Sequence, residues 1–267
     1  MEIQFIKMSP TQNVTILVLT EIPRAQQPQI AEKLLEYDGV GGEQVGFIEK
    51  SETACIRLQM MGGEFCGNAS MAAGAYLAET EKLPVGASKE YPIEVSGAKD
   101  IVNVYVTRTE NGCRGRVEIP AAERIQTVAL PFDGNVISAS CVTLPGITHL
   151  ILPQETGITL PQIEREIRNW NAILRADALG ALVYDEEKCA IEPVVYVPGS
   201  NTVVRERGCG SGTAAIGCQC ALKKGKCVLD VRQPGGVIRV LAEYENGKFT
   251  TTIEGNVRMT ARGIAYV

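Results

Sequence analysis

The chain has 267 residues, of which 45% are hydrophobic and 21% are charged, and its formal net charge is −5. These values are typical of a globular protein with a buried core, and the acidic balance excludes the basic face that nucleic acid requires. No apolar run reaches the length of a membrane span, and the N-terminus lacks the apolar segment of a signal peptide, so we expect a cytoplasmic protein.

The residue pattern in the first half of the chain predicts short strands and two helices. The spacing of apolar residues predicts a helix over 28–37, and the Ala-rich stretch 67–79 predicts a second, buried helix. Ser9-Pro10-Thr11 is interpreted as the turn between the first two strands. Apolar and β-branched runs predict strands near residues 2–7, 13–20, 44–49, 54–60, 91–95, 101–107 and 115–120.

The second half repeats this order after residues 121–135, which are interpreted as a crossover between the halves. Helices are predicted from Leu160 to about residue 173, with a proline in the first turn, and over 210–223. Strands are predicted near residues 136–144, 148–152, 180–184, 190–197, 227–231, 237–242, 249–254 and 257–265. We therefore expect two domains, 1–125 and 126–267, with the last strand as the one element that can return to the first half.

Two segments, 64–73 and 206–215, are similar to each other, and each carries one cysteine directly before a predicted small-residue helix. Cys66 aligns with Cys209 at an offset of 143 residues (209 − 66), which is a little over half of the chain. Glycine follows each cysteine, and small residues coincide along both predicted helices. The repeat therefore predicts a duplicated half-chain with one thiol at the start of a helix in each copy.

A thiol at a helix N-terminus lies beside unpaired backbone N–H groups and a partial positive charge. The amides of Gly67 and Asn68, and those of Gly210 and Ser211, can bind a carboxylate, and the helix field is expected to lower the pKa of the thiol. Two such thiols on opposite faces of one carbon can invert a stereocentre, because one thiolate removes the Cα proton while the other thiol returns one. This pattern predicts an amino-acid racemase.

No cofactor and no metal are predicted. The nine cysteines are odd in number and scattered, which argues against a disulfide framework, and seven of them are interpreted as small buried hydrophobes. His149 is the only histidine, and Cys218-x-Cys220 lacks a second cysteine pair, so a metal site is not expected. No lysine lies in the setting of a pyridoxal phosphate site, and the racemisation is therefore predicted to be cofactor-free.

The same residues are also compatible with roles other than racemisation. The paired cysteines are consistent with packing inherited through the duplication. The Gly-Ser-Gly-Thr run after Cys209 could cradle a phosphate, although it lacks the Gly-Lys-Ser/Thr ending of a P-loop. A cysteine hydrolase is disfavoured because His149 would have to be its base, and on a predicted strand it is interpreted as a satisfied core histidine.

These motifs resemble the diaminopimelate epimerase superfamily of cofactor-independent amino-acid racemases and epimerases. The resemblance covers the whole chain, including the opening strand before Asn13, both cysteine motifs and the turn Gln233-Pro234-Gly235-Gly236. It implies an α+β fold of two pseudo-symmetric halves, each a curled, mostly antiparallel sheet around a central helix. It also implies that Cys66 and Cys209 are the catalytic base and acid, and that the amides after them hold the α-carboxylate.

The chain departs from diaminopimelate epimerase itself at positions that select its substrate. Asn13 is followed by Val14 where that enzyme has Asp, and Gly146-Ile147-Thr148-His149 stands in place of Gly-Asn-Pro-His. The uncharged pair Ser200-Asn201 aligns with a Glu-Arg pair of that enzyme. The contacts that would select diaminopimelate are therefore largely absent.

The chain is more similar to the histidine racemases of this family, including those that feed staphylopine-type metallophores. Segments 43–49, 63–69 and 233–236 carry the similarity, together with Glu206 three residues before the second cysteine. An imidazole is expected to bind carboxylates and amides, which Glu43, Gln44 and Glu206 can supply. Glu43 and Glu206 could instead be solvated loop charges. The resemblance adds Asn13 to these candidate substrate contacts.

We therefore predict a racemase that interconverts L- and D-histidine. The alternatives are an epimerase or racemase acting on diaminopimelate, lysine or hydroxyproline, and a non-catalytic amino-acid binding protein on the same fold. The expected partner is a small-molecule amino acid, with no nucleic acid and no membrane, and the resemblance suggests a homodimer.

Overall fold

Strands dominate the computed structural model, which describes residues 1–199 and 201–267. The α-helices of these residues are α1 (Gln27–Leu35), α2 (Gly67–Thr80), α3 (Leu160–Leu174) and α4 (Gly210–Lys224). The strands are β1 (Glu2–Pro10), β2 (Thr15–Val18), β3 (Gln44–Glu49), β4 (Ile56–Met60), β5 (Ser88–Val95), β6 (Val102–Thr109), β7 (Gly112–Ile119), β8 (Arg124–Phe132), β9 (Asn135–Leu144), β10 (Ile147–Pro153), β11 (Leu179–Asp185), β12 (Ala190–Val197), β13 (Thr202–Arg205), β14 (Lys226–Gln233), β15 (Gly236–Glu245) and β16 (Lys248–Tyr266). The predicted α+β class is confirmed. No helix in the described residues is both long and apolar enough to span a membrane.

The chain divides into two compact units. The first unit contains Met1–Glu118 and Glu254–Val267, and the second contains Ile119–Ile253. Strand β16 therefore begins in the second unit and ends in the first. The sequence predicted the division after residue 125, whereas this division follows residue 118 and assigns most of the last strand to the first unit.

The sheet of the first unit closes on itself around α2. Its strand order is β1-β2-β3-β4-β5-β6-β7-β16, and β16 also pairs with β1. Helix α2 packs against β1, β2, β5 and β6, and most of its residues are buried. A methyl group at Gly74 would lie 2.6 Å from Cγ1 of Val104, so glycine lets the helix approach the sheet this closely.

Helix α1 covers a separate core in the first unit. Ile30 and Leu34 lie four residues apart on one face of α1, where they pack with Val45 and Phe47 of β3. This spacing is the helical periodicity that the sequence showed. The helix ends at Leu35, two residues before the predicted end.

The sheet of the second unit packs around α4. Its strand order is β8-β9-β10-β11-β12-β14-β15-β16, and β13 pairs with β12. Helix α4 packs against β9, β10, β14 and β15, and a methyl group at Gly217 would lie 2.5 Å from Cγ2 of Val240. Helix α3 buries Ile163, Ile167 and Trp170 in a separate core formed with β8, β11 and β12.

Two predictions about the strands were wrong, and one strand was missed. Residues 121–135 do not form a crossover, because β8 pairs with β9 in a hairpin whose turn, Asp133-Gly134, has positive φ at both positions. The two strands predicted over 249–254 and 257–265 are one strand, β16. The short strand β13 was not predicted at all.

The turn between the first two strands also lies later than predicted. Strand β1 continues through Pro10, and the turn residues are Thr11 and Gln12, with φ of 46° and 62°. The amide of Asn13 donates to the carbonyl of Pro10 across 2.9 Å and closes this turn. The turn therefore fixes the position at which Asn13 leaves the sheet.

Candidate active site

Cys66 is the N-cap residue of α2. Its backbone is extended, with φ of −135° and ψ of 112°, and its Sγ accepts a hydrogen bond from the amide of Ala69 at 3.4 Å. The hydroxyl of Ser70 donates to the Cys66 carbonyl at 2.8 Å. The sulfur thus takes the place that a serine or threonine oxygen usually has at a helix start, and it lies at the positive end of the helix.

Cys209 has the same position on α4. Its φ is −100° and its ψ 103°, its Sγ accepts from the amide of Gly212 at 3.3 Å, and the hydroxyl of Thr213 donates to its carbonyl at 2.7 Å. A methyl group on Gly212 would lie 3.0 Å from the Cys209 sulfur and 2.9 Å from Cδ2 of Leu182. The glycine is therefore required for the sulfur to approach the helix backbone.

A chain of polar side chains leads to Cys66 in the first unit. The Cys66 thiol donates to Oε1 of Gln44 at 3.0 Å, and Nε2 of Gln44 donates to Oδ1 of Asn13. The Asn13 amide then donates to Oε2 of Glu43 at 2.9 Å. Gln44, Asn13 and Glu43 therefore form one hydrogen-bonded chain that ends at the Cys66 sulfur. All three were selected from the sequence as candidate substrate contacts.

Cys209 lies in a different electrostatic environment. Its residue is 2% exposed, and burial raises the pKa of its thiol well above the usual 9.0, with the nearby Glu206 carboxylate raising it further. The hydroxyl of Ser211 and the amide of Gly212 lower the pKa, but by less. The expectation that the helix start makes a thiolate available is therefore wrong for Cys209 in this state, because burial outweighs the helix field.

Glu206 is partly buried beside Cys209. Burial raises the pKa of its carboxyl above 4.5, and a hydrogen bond with the Cys209 thiol acts in the opposite direction. A carboxylate that is both desolvated and hydrogen-bonded to a thiol is a suitable acceptor for the thiol proton. The alternative that Glu206 is a solvated loop charge is therefore wrong.

His149, which was interpreted from the sequence only as a core residue, is linked to Cys209 through Ser211. It is fully buried on β10, where its Nε2 lies 2.9 Å from Oγ of Ser211, which in turn lies 3.6 Å from Sγ of Cys209. Burial lowers the pKa of His149 to about 3, so the ring is neutral near pH 7. The one signal in the sequence was its alignment with the last residue of Gly-Asn-Pro-His.

The tautomer of His149 follows from its surroundings. Nδ1 is buried and has no hydrogen-bond partner among residues 1–199 and 201–267. An unpaired buried acceptor is better tolerated than an unpaired buried N–H, so we place the ring proton on Nε2. Nε2 then donates to Ser211, whose own hydroxyl hydrogen can point at the Cys209 sulfur.

The four predicted carboxylate-binding residues all lie in the first turns of the two helices. Gly67 and Asn68 are the first two residues of α2, and Gly210 and Ser211 are the first two of α4. Backbone amides at these positions have no acceptor within their own helix. Each helix start therefore presents amide donors beside its cysteine.

The remaining cysteines are less uniform than predicted. Cys113, Cys141 and Cys218 are buried, as expected of small core residues, whereas Cys55 is exposed. Another three are partly exposed: Cys189, Cys220 and Cys227. The interpretation of seven buried thiols is therefore wrong for four of them.

Of the uncharged pair that aligns with the Glu-Arg pair of diaminopimelate epimerase, Ser200 lies outside the described residues.

Comparison with known proteins gives matches along the full chain. The family model described as "Histidine racemase CntK N-terminal domain" matches residues 2–266. The histidine racemase of Staphylococcus aureus strain Mu50 is 30% identical over 275 residues, which cover 99% of this chain and 98% of that protein. The histidine racemase of Fusobacterium nucleatum is 28% identical, and the match covers 99% of this chain and 97% of that protein.

A solved structure shares the fold. The hydroxyproline epimerase from Agrobacterium vitis superimposes with a TM-score of 0.73 at 12% identity, covering 99% of this chain and 91% of that one. At this identity the similarity concerns the fold alone, and it places the present fold among those of racemases and epimerases.

Proposed function

The chain belongs to the histidine racemase family, and on this premise we propose that it interconverts L- and D-histidine without a cofactor. The membership of this family, predicted from segments 43–49, 63–69 and 233–236 together with Glu206, is confirmed by the match over residues 2–266. The observation that carries the proposal is the presence of a cysteine as N-cap residue on both α2 and α4. A core residue inherited by duplication would not need a polar chain leading to its sulfur.

The proposed reaction is a proton exchange at Cα between two thiols. One cysteine, as thiolate, removes the Cα proton and becomes a thiol, and the electron pair left on Cα is delocalised into the carboxylate. The other cysteine, as thiol, delivers a proton to the opposite face and becomes the thiolate. The mechanism requires both Cys66 and Cys209 to reach one substrate carbon, and their roles are exchanged for the opposite enantiomer.

Glu206 is proposed to act as the general base that takes the Cys209 proton during turnover, although its charge raises the pKa of the resting thiol. Burial disfavours the charged form of each group, so Glu206 can accept the thiol proton along their hydrogen bond only when its carboxyl is ionised. The Ser211 hydroxyl then stabilises the negative charge on the Cys209 sulfur. His149 fixes the orientation of this hydroxyl through the hydrogen bond between Nε2 and Oγ of Ser211. Because His149 stays neutral, it orients Ser211 without adding a charge.

Gln44 is proposed to set the protonation state of the Cys66 thiol. Its oxygen accepts the thiol hydrogen and its nitrogen is held by Asn13, so the amide is fixed at both ends. This arrangement assigns Gln44 to the cysteine rather than to the imidazole of the substrate. Glu43, whose carboxylate is negatively charged, is the better proposed partner for the imidazole N–H.

The backbone amides of Gly67, Asn68, Gly210 and Ser211 are proposed to bind the α-carboxylate. Charge develops on this carboxylate as the Cα proton leaves, and donors fixed by a helix need no reorganisation at that moment. Their stabilisation of the transition state compensates for the low acidity of the Cα proton. The proposal needs no Schiff base and no metal.

We also propose that the two units arose by duplication of one half-chain. In the first unit β2 and β3 are parallel, β4 and β5 are parallel, and α2 follows β4. In the second, β10 and β11 are parallel, β12 and β14 are parallel, and α4 precedes β14. These equivalent connections support pseudo-symmetry.

A homodimer is part of the proposal and is tested by sedimentation velocity.

The proposed activity is tested with L-histidine and D-histidine in D2O without added cofactor. We expect loss of the α-proton signal by NMR and formation of the opposite enantiomer by chiral chromatography, starting from either enantiomer. Lysine, trans-4-hydroxyproline and diaminopimelate are tested in parallel. Absence of deuterium uptake and of D-histidine would contradict the histidine assignment, and turnover of another substrate instead would identify the alternative.

Matched cysteine variants test the two-thiol mechanism. Cys66→Ala and Cys209→Ala should each abolish racemisation. Cys55→Ala in the first unit and Cys220→Ala in the second also remove one thiol each but should retain activity, since neither residue is part of the proposed site. Full activity in Cys66→Ala or Cys209→Ala would exclude the mechanism while leaving the substrate assignment intact.

A further inference from the structure

The turn Gln233-Pro234-Gly235-Gly236 holds the segment that leads into Cys209. Oε1 of Gln233 accepts the backbone amide of Cys209 at 2.6 Å. The amide of Gly235 donates to the carbonyl of Arg207 at 2.6 Å, and Nη2 of Arg207 lies 3.4 Å from the carbonyl of Pro234. The turn therefore contacts the chain at the second cysteine and two residues before it.

Gln233 also completes a closed ring of hydrogen bonds with α4. Its Nε2 donates to the hydroxyl oxygen of Thr213 at 2.7 Å, and the same hydroxyl donates to the carbonyl of Cys209 at 2.7 Å. One glutamine thus fixes both the N–H and, through Thr213, the C=O of the cysteine. Since an amide side chain has one acceptor and one donor end, glutamine satisfies both contacts at once.

The first unit makes a different contact at the corresponding point. The side chain after β5 is Ser96, and its hydroxyl donates to the carbonyl of Glu64 at 2.9 Å, two residues before Cys66. Ser70 reproduces the contact of Thr213, because its hydroxyl donates to the Cys66 carbonyl. We call the pair of hydrogen bonds from Gln233 to the Cys209 N–H and to Thr213 the clamp. The clamp is thus a feature of the second unit, at the more deeply buried of the two cysteines.

We propose that Gln233 is a positioning residue for the racemisation, which holds the Cys209 backbone so that its sulfur stays over the first turn of α4. This inference rests on the proposed function for its kinetic consequence but not for its structural one. Loss of the clamp would leave a buried N–H without an acceptor and let Cys209 move relative to the amide of Gly212. Small displacements of a reacting group are sufficient to slow a proton transfer strongly.

The test compares the full-length chain with Gln233→Met, which has a similar length and no hydrogen-bonding amide. We expect kcat to fall by about tenfold or more while KM changes little, because the clamp acts on the cysteine rather than on substrate binding. Alkylation of Cys209 by iodoacetamide, followed by peptide mass spectrometry, should become about three- to tenfold faster. Cys141, a buried thiol of the same unit, should remain protected.

Two further variants make the outcome decisive. Gln126→Met alters an exposed glutamine on β8 and should leave both measurements unchanged. Gln233→Glu keeps an acceptor for the Cys209 N–H, so Cys209 alkylation in this variant should be no faster than in the original chain. An unchanged kcat in Gln233→Met, equal acceleration at Cys141, or equally fast alkylation in Gln233→Glu would each overturn the inference. If the original chain does not racemise histidine, the proposed function fails and the alkylation results alone decide the role of Gln233.

Discussion

Gln44 accepts the thiol hydrogen of Cys66, with 3.0 Å between Sγ and Oε1. The hydrogen bond from Gln44 to Asn13 fixes which end of the amide faces the sulfur. An amide oxygen can only accept, so this contact favours the protonated thiol. Cys66 therefore faces a neutral acceptor, whereas Cys209 faces the carboxylate of Glu206. The two cysteines share a position on their helices but differ in the group that receives their proton.

Removal of the Gln44 amide is expected to slow racemisation. In Gln44→Ala the Cys66 thiol loses its acceptor and Asn13 loses its donor, and we expect kcat/KM to fall by about 10- to 100-fold. Steady-state rates by chiral chromatography measure the effect. Gln4→Ala, which alters an exposed glutamine on β1, provides the control. Equal rates in both variants would remove Gln44 from the site.

Glu206→Gln is expected to change stability and activity in opposite directions. Burial raises the pKa of the Glu206 carboxyl above its unfolded value of 4.5, so its stabilising contribution is fully present below pH 4.5 and is lost as the pH rises through the folded pKa. At pH 8 the uncharged Gln should therefore raise the midpoint of thermal unfolding, and near pH 4 the difference should vanish. Racemisation should fall strongly because the proton acceptor of Cys209 is lost.

The same variant should also change the titration of Cys209. The carboxylate raises the pKa of this thiol both through its charge and through their hydrogen bond, so its removal should shift alkylation of Cys209 to lower pH. The pH dependence of iodoacetamide labelling, read at the Cys209 peptide, measures the shift. A shift to higher pH would contradict the contact between the two side chains.

His149 is expected to make the protein sensitive to acid. Burial lowers its pKa to about 3 from 6.5, so the stability it contributes is present above pH 6.5 and is lost as the pH falls towards 3. From pH 7.5 to pH 5 the loss from this group alone amounts to about 2 kcal/mol. Urea unfolding at both pH values should show a smaller acid loss in His149→Gln, in which the amide can still donate to Ser211. An equal loss in both proteins would place the acid sensitivity elsewhere.

The small residues of the two central helices are expected to be required for packing. A methyl group at Gly217 would lie 2.5 Å from Cγ2 of Val240, and one at Gly74 would lie 2.6 Å from Cγ1 of Val104. Gly217→Ala and Gly74→Ala should each lower the free energy of unfolding by about 1–3 kcal/mol. Gly199→Ala is the control, since a methyl group there meets no atom within 4 Å. Urea unfolding of the three variants at pH 7.5 measures the difference.

The parts of the fold that could be predicted from sequence are those with strong local signals. The starts of α2 and α4 were predicted correctly because glycine and small residues after Cys66 and Cys209 are compatible with a close-packed helix and little else. Strand β8 was missed because its pattern is weakly alternating and contains Pro131, which suits an edge strand but resembles a loop. The Asp133-Gly134 turn was an available hairpin signal that outweighs the proline.

The site could be predicted only in part, because sequence spacing does not give electrostatics. The repeat identified both cysteines, but the direction of the pKa shift at Cys209 depends on burial and on Glu206, which no local pattern reports. His149 joins the site through a contact with Ser211 that spans 62 positions in the chain. A single histidine on an apolar strand carries no periodicity that would distinguish this contact from ordinary core packing.

Strands β1 and β16 pair along their length, with Glu2 opposite Tyr266 and Pro10 opposite Val257. The strand that closes the sheet of the first unit therefore follows α2 in the chain only after the whole second unit. During translation the segment around Cys66 is synthesised before residues beyond 254, and the sheet of the first unit cannot close until those residues are present. Until that strand is present, β1 and β7 both lack a neighbour and the sheet around α2 stays open.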